Sequence, residues 1–476
     1  MDYEIVVGLE VHAELSTKSK AYCSCENSFG GEVNSKCCEI CTGMPGAMPT
    51  LNEKLIEYAI KMGLALNCDI NILSKQDRKH YFYPDLPKAF QISQHEIPIC
   101  GNGHLDVVID GKSTTIGIER VHIEEDSGKL LHDDAFNGTL IDFNRSSVPL
   151  LEIVSKPDIR SSEEAKAYLD TIRQILIYLG ISDGKMQEGS IRCDVNVSVR
   201  EKGTDKLGTR VEMKNVNTFS GAARAIEYEA KRQISVLESG GTLEQETRRW
   251  DDANNKNDVL RTKDNALDYR FFPEPDLGTI ALSEELVIRL KNELPELPNQ
   301  KLMRFINDYG LSHYDASILI DNFLYSAFFE KCVKLNRVKP SNIANWIMGD
   351  ITKVLRENSM DISESKLSAL NLVDMIELIE KNEISNTSGK AIIDIIVLED
   401  KDVSEIVKEK GLSQISDDDF IENIAKEVLL ENQDAVERYH AGKTNVLGFL
   451  VGQGMQRSKG KANPASLNKI MIKLLS

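Results

Sequence analysis

Apolar and polar residues alternate most regularly between positions 187 and 217, and the alternation predicts a β-hairpin. Successive side chains of a strand point to opposite faces. Arg192, Asp194, Asn196 and Ser198 therefore share one side, and Cys193, Val195, Val197 and Val199 the other. A turn-rich stretch over 201–208 follows, after which Arg210, Glu212 and Lys214 alternate with Val211 and Met213. An aliphatic underside would then hold carboxylates, an amide and cations rigidly together. Carboxylates suit a hard ion such as Mg²⁺, and Lys or Arg suits phosphoryl oxygens. The same pattern also fits an amphipathic hairpin with a solvated charged face.

A second period-two stretch over 3–15 puts Glu10, His12 and Glu14 opposite Leu9, Val11 and Ala13. An acid and an imidazole two residues apart can share a metal ion or a phosphoryl group, and a plain polar strand face gives the same spacing. Helical period predicts helices over 51–66, with Leu55, Ala59, Met62 and Leu66 on one side, over 161–179, opened by a Ser-Ser-Glu-Glu cap, and over 218–237. Positions 104–145 read as β-rich. There Glu124, Glu125 and Asp126 crowd a strand end, which is unfavourable unless cations are shared. They complete a Mg²⁺ site with Glu10, His12, Asp194 and Glu212, or form a solvated acidic turn.

From about 282 the period is helical, with helices expected over 299–309, 312–335, 340–357, 363–381 and 387–398, and nothing in that region looks catalytic. Acidic helices follow from about 402. Near the end, Gly448, Gly452 and Gly454 are expected to let helices approach closely.

Composition changes this picture in three places. The 476 residues, 41% apolar and 28% charged, are enough for two to four soluble domains. No apolar run reaches the ~18 residues of a membrane helix. The first residues resemble no secretory or mitochondrial leader, so a cytoplasmic protein without a membrane role is expected. The net charge of −18 is uneven: after Glu437 there is no acid, and the last 39 residues carry Arg438, Lys443, Arg457, Lys459, Lys461, Lys469 and Lys473. That tail is +7 and leaves −25 for the rest, which suggests an RNA-facing end, with Arg457, Lys459 and Lys461 in a basic loop suited to gripping phosphate. A plain C-terminal helical bundle is the competing reading.

Nine cysteines include Cys23-x-Cys25 and Cys38-x-x-Cys41, the spacing of a structural Zn²⁺ site in which four thiolates close a tetrahedral shell. Cys37 adjoins Cys38, but Cys38 completes the C-x-x-C pair. Lys79, Tyr81 and Tyr83, with Lys88, Gln91 and Gln94 after them, combine stacking with charge in a way that suits a nucleotide, or form an aromatic strand over a core. Arg248, Arg249, Arg261 and Arg270 recur near aromatics, as on a phosphate or acceptor-stem surface.

GLEVHAEL, the cysteine pairs, DRKHYFYPDLPKAFQIS, EGSIRCDVNVSVR, TRVEMKNVNTF, QETRRWD, DYRFFPEPDL and GFLVGQGMQRSKGKANP, in this order across nearly the whole chain, resemble the B-subunit family of bacterial aspartyl/glutamyl-tRNA amidotransferases. The resemblance implies an α+β protein. A cradle-like mixed sheet-and-helix catalytic domain would span 1–292, with the zinc loop at 23–41. An all-helical domain would span 293–403, and a small helical YqeY-like tRNA-binding tail 404–476. It implies ATP- and Mg²⁺-dependent phosphorylation of the side-chain carboxylate of misacylated Glu-tRNA(Gln) or Asp-tRNA(Asn), followed by amidation with ammonia. No amidase or glutaminase signature is present, so the ammonia would come from an amidase A-subunit, tied on by a small C-subunit in a heterotrimer. The archaeal E-type relative carries a large inserted domain that this chain lacks. By resemblance the metal role falls on Glu10, His12, Glu125, Asp194 and Glu212, with Glu124 beside them. His12 is an unusual ligand for Mg²⁺. Phosphate or acceptor-end contacts fall on Lys79, Arg192, Lys214 and Arg249, and ATP or its positioning on Tyr81, Tyr83 and Lys88. Two other classes compete: a non-catalytic tRNA-binding scaffold, and a stand-alone ligase acting on a free amino acid.

Overall fold

The computed structural model describes residues 2–109, 111–133, 138–186, 188–262, 268–414, 418–458 and 462–475. The chain divides into two compact units, Met1–Lys301 and Leu302–Ser476.

The first unit is built on β1 (Tyr3–Glu14), β2 (Asp69–Ile70), β3 (Leu73–Ser74), β4 (Asp77–His80), β5 (Phe90–Ser93), β6 (Cys100–Ile109), β7 (Lys112–Glu125), β8 (Lys129–Asp133), β9 (Gly138–Asp142), β10 (Pro149–Ser155), β11 (Ile191–Glu201), β12 (Val211–Val216), β13 (Glu246–Asp251) and β14 (Lys256–Thr262). Nine of them form one sheet in the order β14-β13-β12-β11-β1-β10-β7-β6-β2. Neighbours run antiparallel except β12 and β13, which are parallel. A parallel pair needs a long crossover, and here α3 (Phe219–Glu238) provides it.

The expected hairpin is β11–β12, paired from Cys193↔Val216 to Val197↔Val211 with a register shift between Cys193 and Val195. Gly208 lies in its turn against the Val199 carbonyl, where a Cβ would stand 2.1 Å from the oxygen. Alternation fixes the two faces of the sheet. Val7, Leu9, Val11 and Ala13 of β1 and Val195 and Val197 of β11 are buried on the underside. They join one core with the apolar stripes of α1 (Glu53–Ala65), α2 (Ser162–Tyr178) and α3. Each such side chain contributes about 1.5–3 kcal/mol through burial, so the underside anchors the polar face above it. Asn52, Ser161 and Thr218 cap the three helices, each side chain accepting from a first-turn N–H.

Fully buried Glu229 ties α3 to the β13–β14 edge. It accepts from Arg232 at 2.7 and 2.9 Å, from Gln233 at 2.8 Å and from Asn257 at 2.8 Å. Arg248 also lies 4.0 Å from it and donates to Asn257 and Glu246. Arg248 therefore belongs to the packing beneath the sheet edge and departs from the expected phosphate surface.

Among its described residues the second unit is helical. The helix expected over 312–335 is two helices, His313–Asp321 and Phe323–Val333. Asn322 is extended (φ −110°, ψ 107°) and its side chain accepts from Leu324 N and Tyr325 N, so one residue ends a helix and caps the next. The helix expected over 340–357 carries a π turn, Ile347–Ile351, with Thr352 Oγ1 donating to the Ile347 carbonyl at 2.6 Å. Near the C-terminus, Ile421, Ala425, Val428, Leu450, Leu467, Met471 and Leu475 form an apolar core of their own. Of the three glycines expected at close helix contacts, only Gly454 sits at one, where a Cβ would stand 2.6 Å from Leu467 Cδ2. Among the described residues nothing lies within 4 Å of a Cβ built at Gly448 or Gly452, which corrects the expectation for those two. No described helix is long and apolar enough to cross a membrane.

Candidate functional site

The polar face of the central strands carries the site, and register decides what meets there. β1 sets Glu10 opposite Asp194 of β11 and His12 opposite Glu152 of β10. One strand further out, Asn196 faces Glu212 of β12, and Glu152 faces His122 of β7. Two neighbouring clusters result, where the sequence reading expects a single site.

In the first cluster Glu10, Asp194 and Glu212 each offer an oxygen within 4.8 Å of the others. Lys214 bridges two of them, donating to Asp194 Oδ2 at 2.5 Å and lying 2.9 Å from Glu212 Oε1. Asn196 donates to Glu10 at 3.0 Å and Thr247 to Glu212 at 2.8 Å, which orients the carboxylates. Burial, with the charges of Glu152 and Asp194, pushes the Glu10 carboxyl up. Burial acts the same way on Glu212, but Lys214, Thr247 and Arg261 overcome it and hold that carboxyl low. A hard divalent cation is the group such an oxygen set fits.

The second cluster joins His12, Glu124 and Glu152. His12 Nε2 lies 3.5 Å from Glu124 and 3.4 Å from Glu152. His122 Nε2 approaches the same Glu152 oxygen at 3.4 Å, and its Nδ1 accepts from Arg120 at 3.4 Å. Burial opposes the His12 imidazolium, but the hydrogen bond and charge of Glu152 and the charges of Glu124 and Asp194 outweigh it and push His12 up to about 9. Burial likewise opposes the Glu152 carboxylate, and the two imidazoles hold its carboxyl well below the usual range. Glu152 is the residue the sequence reading missed. Its signal is a lone acid in the apolar run PLLEIVS, every residue of which is buried.

Glu125 departs from the metal set. It follows Glu124 directly, so strand parity turns it to the other side of β7. There it is buried, pairs with Lys88 and accepts from Ile92 N at 2.9 Å. Lys88 is thus committed to Glu125, with its ammonium over the Phe90 and Tyr22 rings. Arg192 pairs with Asp126, which Arg145 also approaches at 3.7 Å, so it too is already neutralised.

Lys79 lies over the Tyr269 ring at 5.2 Å, and among the described residues no ion pair holds it. Burial disfavours its charge, but Glu124 and Glu152 raise its affinity for the proton, so it leans toward the second cluster. Tyr81 stands edge-on to Tyr269 at 6.2 Å, whereas Tyr83 is largely exposed. Arg249 pairs in register with Lys214, exposed on the polar face at the margin of the first cluster. In the tail, Arg457 donates to Glu427 at 2.6 Å and to Glu431 at 2.7 Å, so its charge is met by acids. Lys459 and Lys461 lie outside the described residues.

A separate centre lies in the loop after β1. Cys23, Cys25, Cys38 and Cys41 bring their Sγ atoms within 4.8 Å of one another. A tetrahedral Zn²⁺ with ~2.3 Å bonds needs sulfur separations of ~3.8 Å, and Cys38 and Cys41 stand at 4.0 Å. The donor set and its size therefore fit zinc. Cys37 points instead at the Asn34 carbonyl, 3.2 Å away. The Cys23 hydrogen bond, against the opposing effect of burial, pulls the Cys41 thiol down to about 5, helped by Cys38 N–H and Lys20.

Residues 5–288 match the family model of the GatB/GatE catalytic domain, and residues 327–475 match that of the GatB domain. The B-subunit of the aspartyl/glutamyl-tRNA(Asn/Gln) amidotransferase of Caldicellulosiruptor saccharolyticus is 52% identical over 475 residues, covering 99% of this chain and 98% of its own. The protein of the same name from Thermoanaerobacter pseudethanolicus is 50% identical over 476 residues, all of both chains. That of Thermodesulfovibrio yellowstonii is 48% identical over 475 residues, again 100% of each.

Proposed function

The chain belongs to the B-subunit family of the aspartyl/glutamyl-tRNA(Asn/Gln) amidotransferases, and from that premise we propose how its residues serve the reaction. The family forms a carbon–nitrogen bond on an amino acid carried by tRNA, converting Asp or Glu to its amide. A side-chain carboxylate is a poor electrophile, so the step assigned to this chain is its phosphorylation. A carboxylate oxygen attacks the γ-phosphorus of ATP and ADP leaves. Ammonia then attacks the acyl carbon and phosphate departs with the bonding electrons.

The observation that carries this reading is the row Glu10–Asp194–Glu212 with Lys214 set among its oxygens. Bound Mg²⁺ would be held by those three carboxylates and would supply charge neutralisation for phosphoryl transfer. Asn196 and Thr247 keep Glu10 and Glu212 aimed at it. Lys214 and Arg249, beside the first cluster, would meet the transferred phosphoryl oxygens, with Lys79 and the protonated His12 on the side of the second cluster and Tyr81 beside Tyr269 as a nucleotide contact. Catalytic use of ammonia requires a glutaminase partner, an amidase A-subunit joined through a small C-subunit. The acid-free segment after Glu437 is the tRNA-binding end, through cations other than Arg457, and the protein works in the cytoplasm.

The test is ATP hydrolysis by the chain assembled with its amidase and small C-subunit partners, with and without Glu-tRNA(Gln) or Asp-tRNA(Asn), comparing wild type with Asp194→Ala. Hydrolysis that depends on misacylated tRNA and falls by at least about 100-fold in the variant is expected, since a positioned metal contributes several kcal/mol. Unchanged turnover in Asp194→Ala removes that residue from the site. Bound tRNA without any turnover makes the chain a scaffold instead.

A further inference from the structure

Lys20 is fully buried. A buried ammonium is strongly unfavourable without a counter-charge, and among the described residues no carboxylate lies within ion-pair distance of it. Its Nζ stands 3.7 Å from Cys41 Sγ and 3.4 Å from the Phe143 carbonyl oxygen, to which it donates. Its backbone is pinned within the same loop. Lys20 N donates to the Cys25 carbonyl at 3.0 Å, and the Lys20 carbonyl accepts from Asn52 at 3.2 Å. The backbone from which the side chain starts is therefore fixed within the loop.

Four thiolates around one Zn²⁺ leave two negative charges in excess, and Cys41 is itself fully buried. The ammonium and the sulfur cluster each lack what the other supplies. We propose that Lys20 is the positioning counter-charge of the four-cysteine centre: it neutralises part of the excess on Cys41 and slows loss of the metal. Groups that hydrogen-bond metal ligands typically change affinity 10–100-fold when removed, and this one brings a full charge as well.

The test uses the full-length chain. Zinc content is measured first, then affinity by transfer to a competing chelator, then the spectrum after replacing zinc with Co²⁺. Lys20→Met, which keeps the bulk and drops the charge, should bind zinc 10–100-fold more weakly. Its thiolate-to-cobalt band should move to lower energy, because the sulfur lone pairs lose a stabilising charge. Lys20→Gln should shift the band the same way and serves if the Met variant fails to fold. Ser146→Ala removes the 2.8 Å hydrogen bond to the Cys41 carbonyl without touching any charge, and should leave the band in place. Unchanged affinity and spectrum in both Lys20 variants overturn the proposal, as does a Ser146→Ala variant that reproduces both changes. Wild-type chain that holds neither zinc nor cobalt overturns the metal reading beneath it.

Discussion

Replacing Glu152 by Gln keeps the side chain's shape and removes the charge that two histidines share. His12 is raised from 6.5 to about 9, and each unit corresponds to about 1.36 kcal/mol. The Glu152–Glu124 environment therefore favours the imidazolium by about 3 kcal/mol net of burial. With the His12 side chain only 19% exposed, solvent screens little of this. A group with a raised folded value adds stability that is complete below the unfolded value and is lost as pH rises through the folded one. For His12 that window runs from 6.5 to about 9. In Glu152→Gln only Glu124 and Asp194 remain against burial, so His12 should titrate at least one unit lower and the window should close from above. Because the chain has two compact units, a single unfolding free energy is poorly defined. Side-chain NMR of the eight histidines in magnesium-free buffer is the better assay, with His12→Gln assigning the resonance. A His12 that still titrates near 9 in Glu152→Gln would sink this account of the cluster.

Four further outcomes follow from the packing. Glu229→Ala strands the donors of Arg232, Gln233 and Asn257 and should destabilise the first unit by about 3–5 kcal/mol, read from the emission of Trp250 in a Trp346→Phe background. Gly454→Val forces a methyl into Leu467 and should lower the stability of the C-terminal helices by about 1–3 kcal/mol, measured by hydrogen exchange of their amides. Gly448→Ala and Gly452→Ala meet open space and should raise it by up to about 1 kcal/mol each; equal losses at all three positions would contradict the assignment. Asn322→Ala removes the cap of Phe323–Val333 and should lower stability by about 0.5–2 kcal/mol, seen as earlier exchange at Leu324 and Tyr325.

Much of the sheet is legible because its period is local. Alternation over β1 and β11 reports which side chains face the helices, and Glu10, His12, Asp194 and Glu212 all follow from it. What the alternation cannot give is pairing at a distance. That Glu10 meets Asp194 while His12 meets Glu152 depends on β1 lying between β11 and β10, a matter of register over more than a hundred residues. Parity would have separated Glu124 from Glu125, but only once the strand was known to run straight through both, as β7 does. The cysteine centre is legible from spacing alone because tetrahedral thiolate binding constrains short loops. Lys20 is not, since a lysine carries no mark of burial. The break at Asn322 was hidden for the opposite reason: apolar period continues across it, and a single side chain ends the helix.

The strand at the heart of the sheet has a further consequence, for the order of events on the ribosome. β1 pairs with β10 and β11, so Tyr3 waits for Glu201 and Glu10 for Val154. At about 5–20 residues per second, the nascent chain carries β1 for roughly 10–40 s before both neighbours exist. Through that interval Val6, Val7, Leu9 and Val11, all buried at the end, present an unpaired edge of the kind that seeds association between chains. The register that gathers Glu10, Asp194 and Glu212 onto one face thus also postpones the pairing of the strand that carries Glu10 until residue 201 has been made.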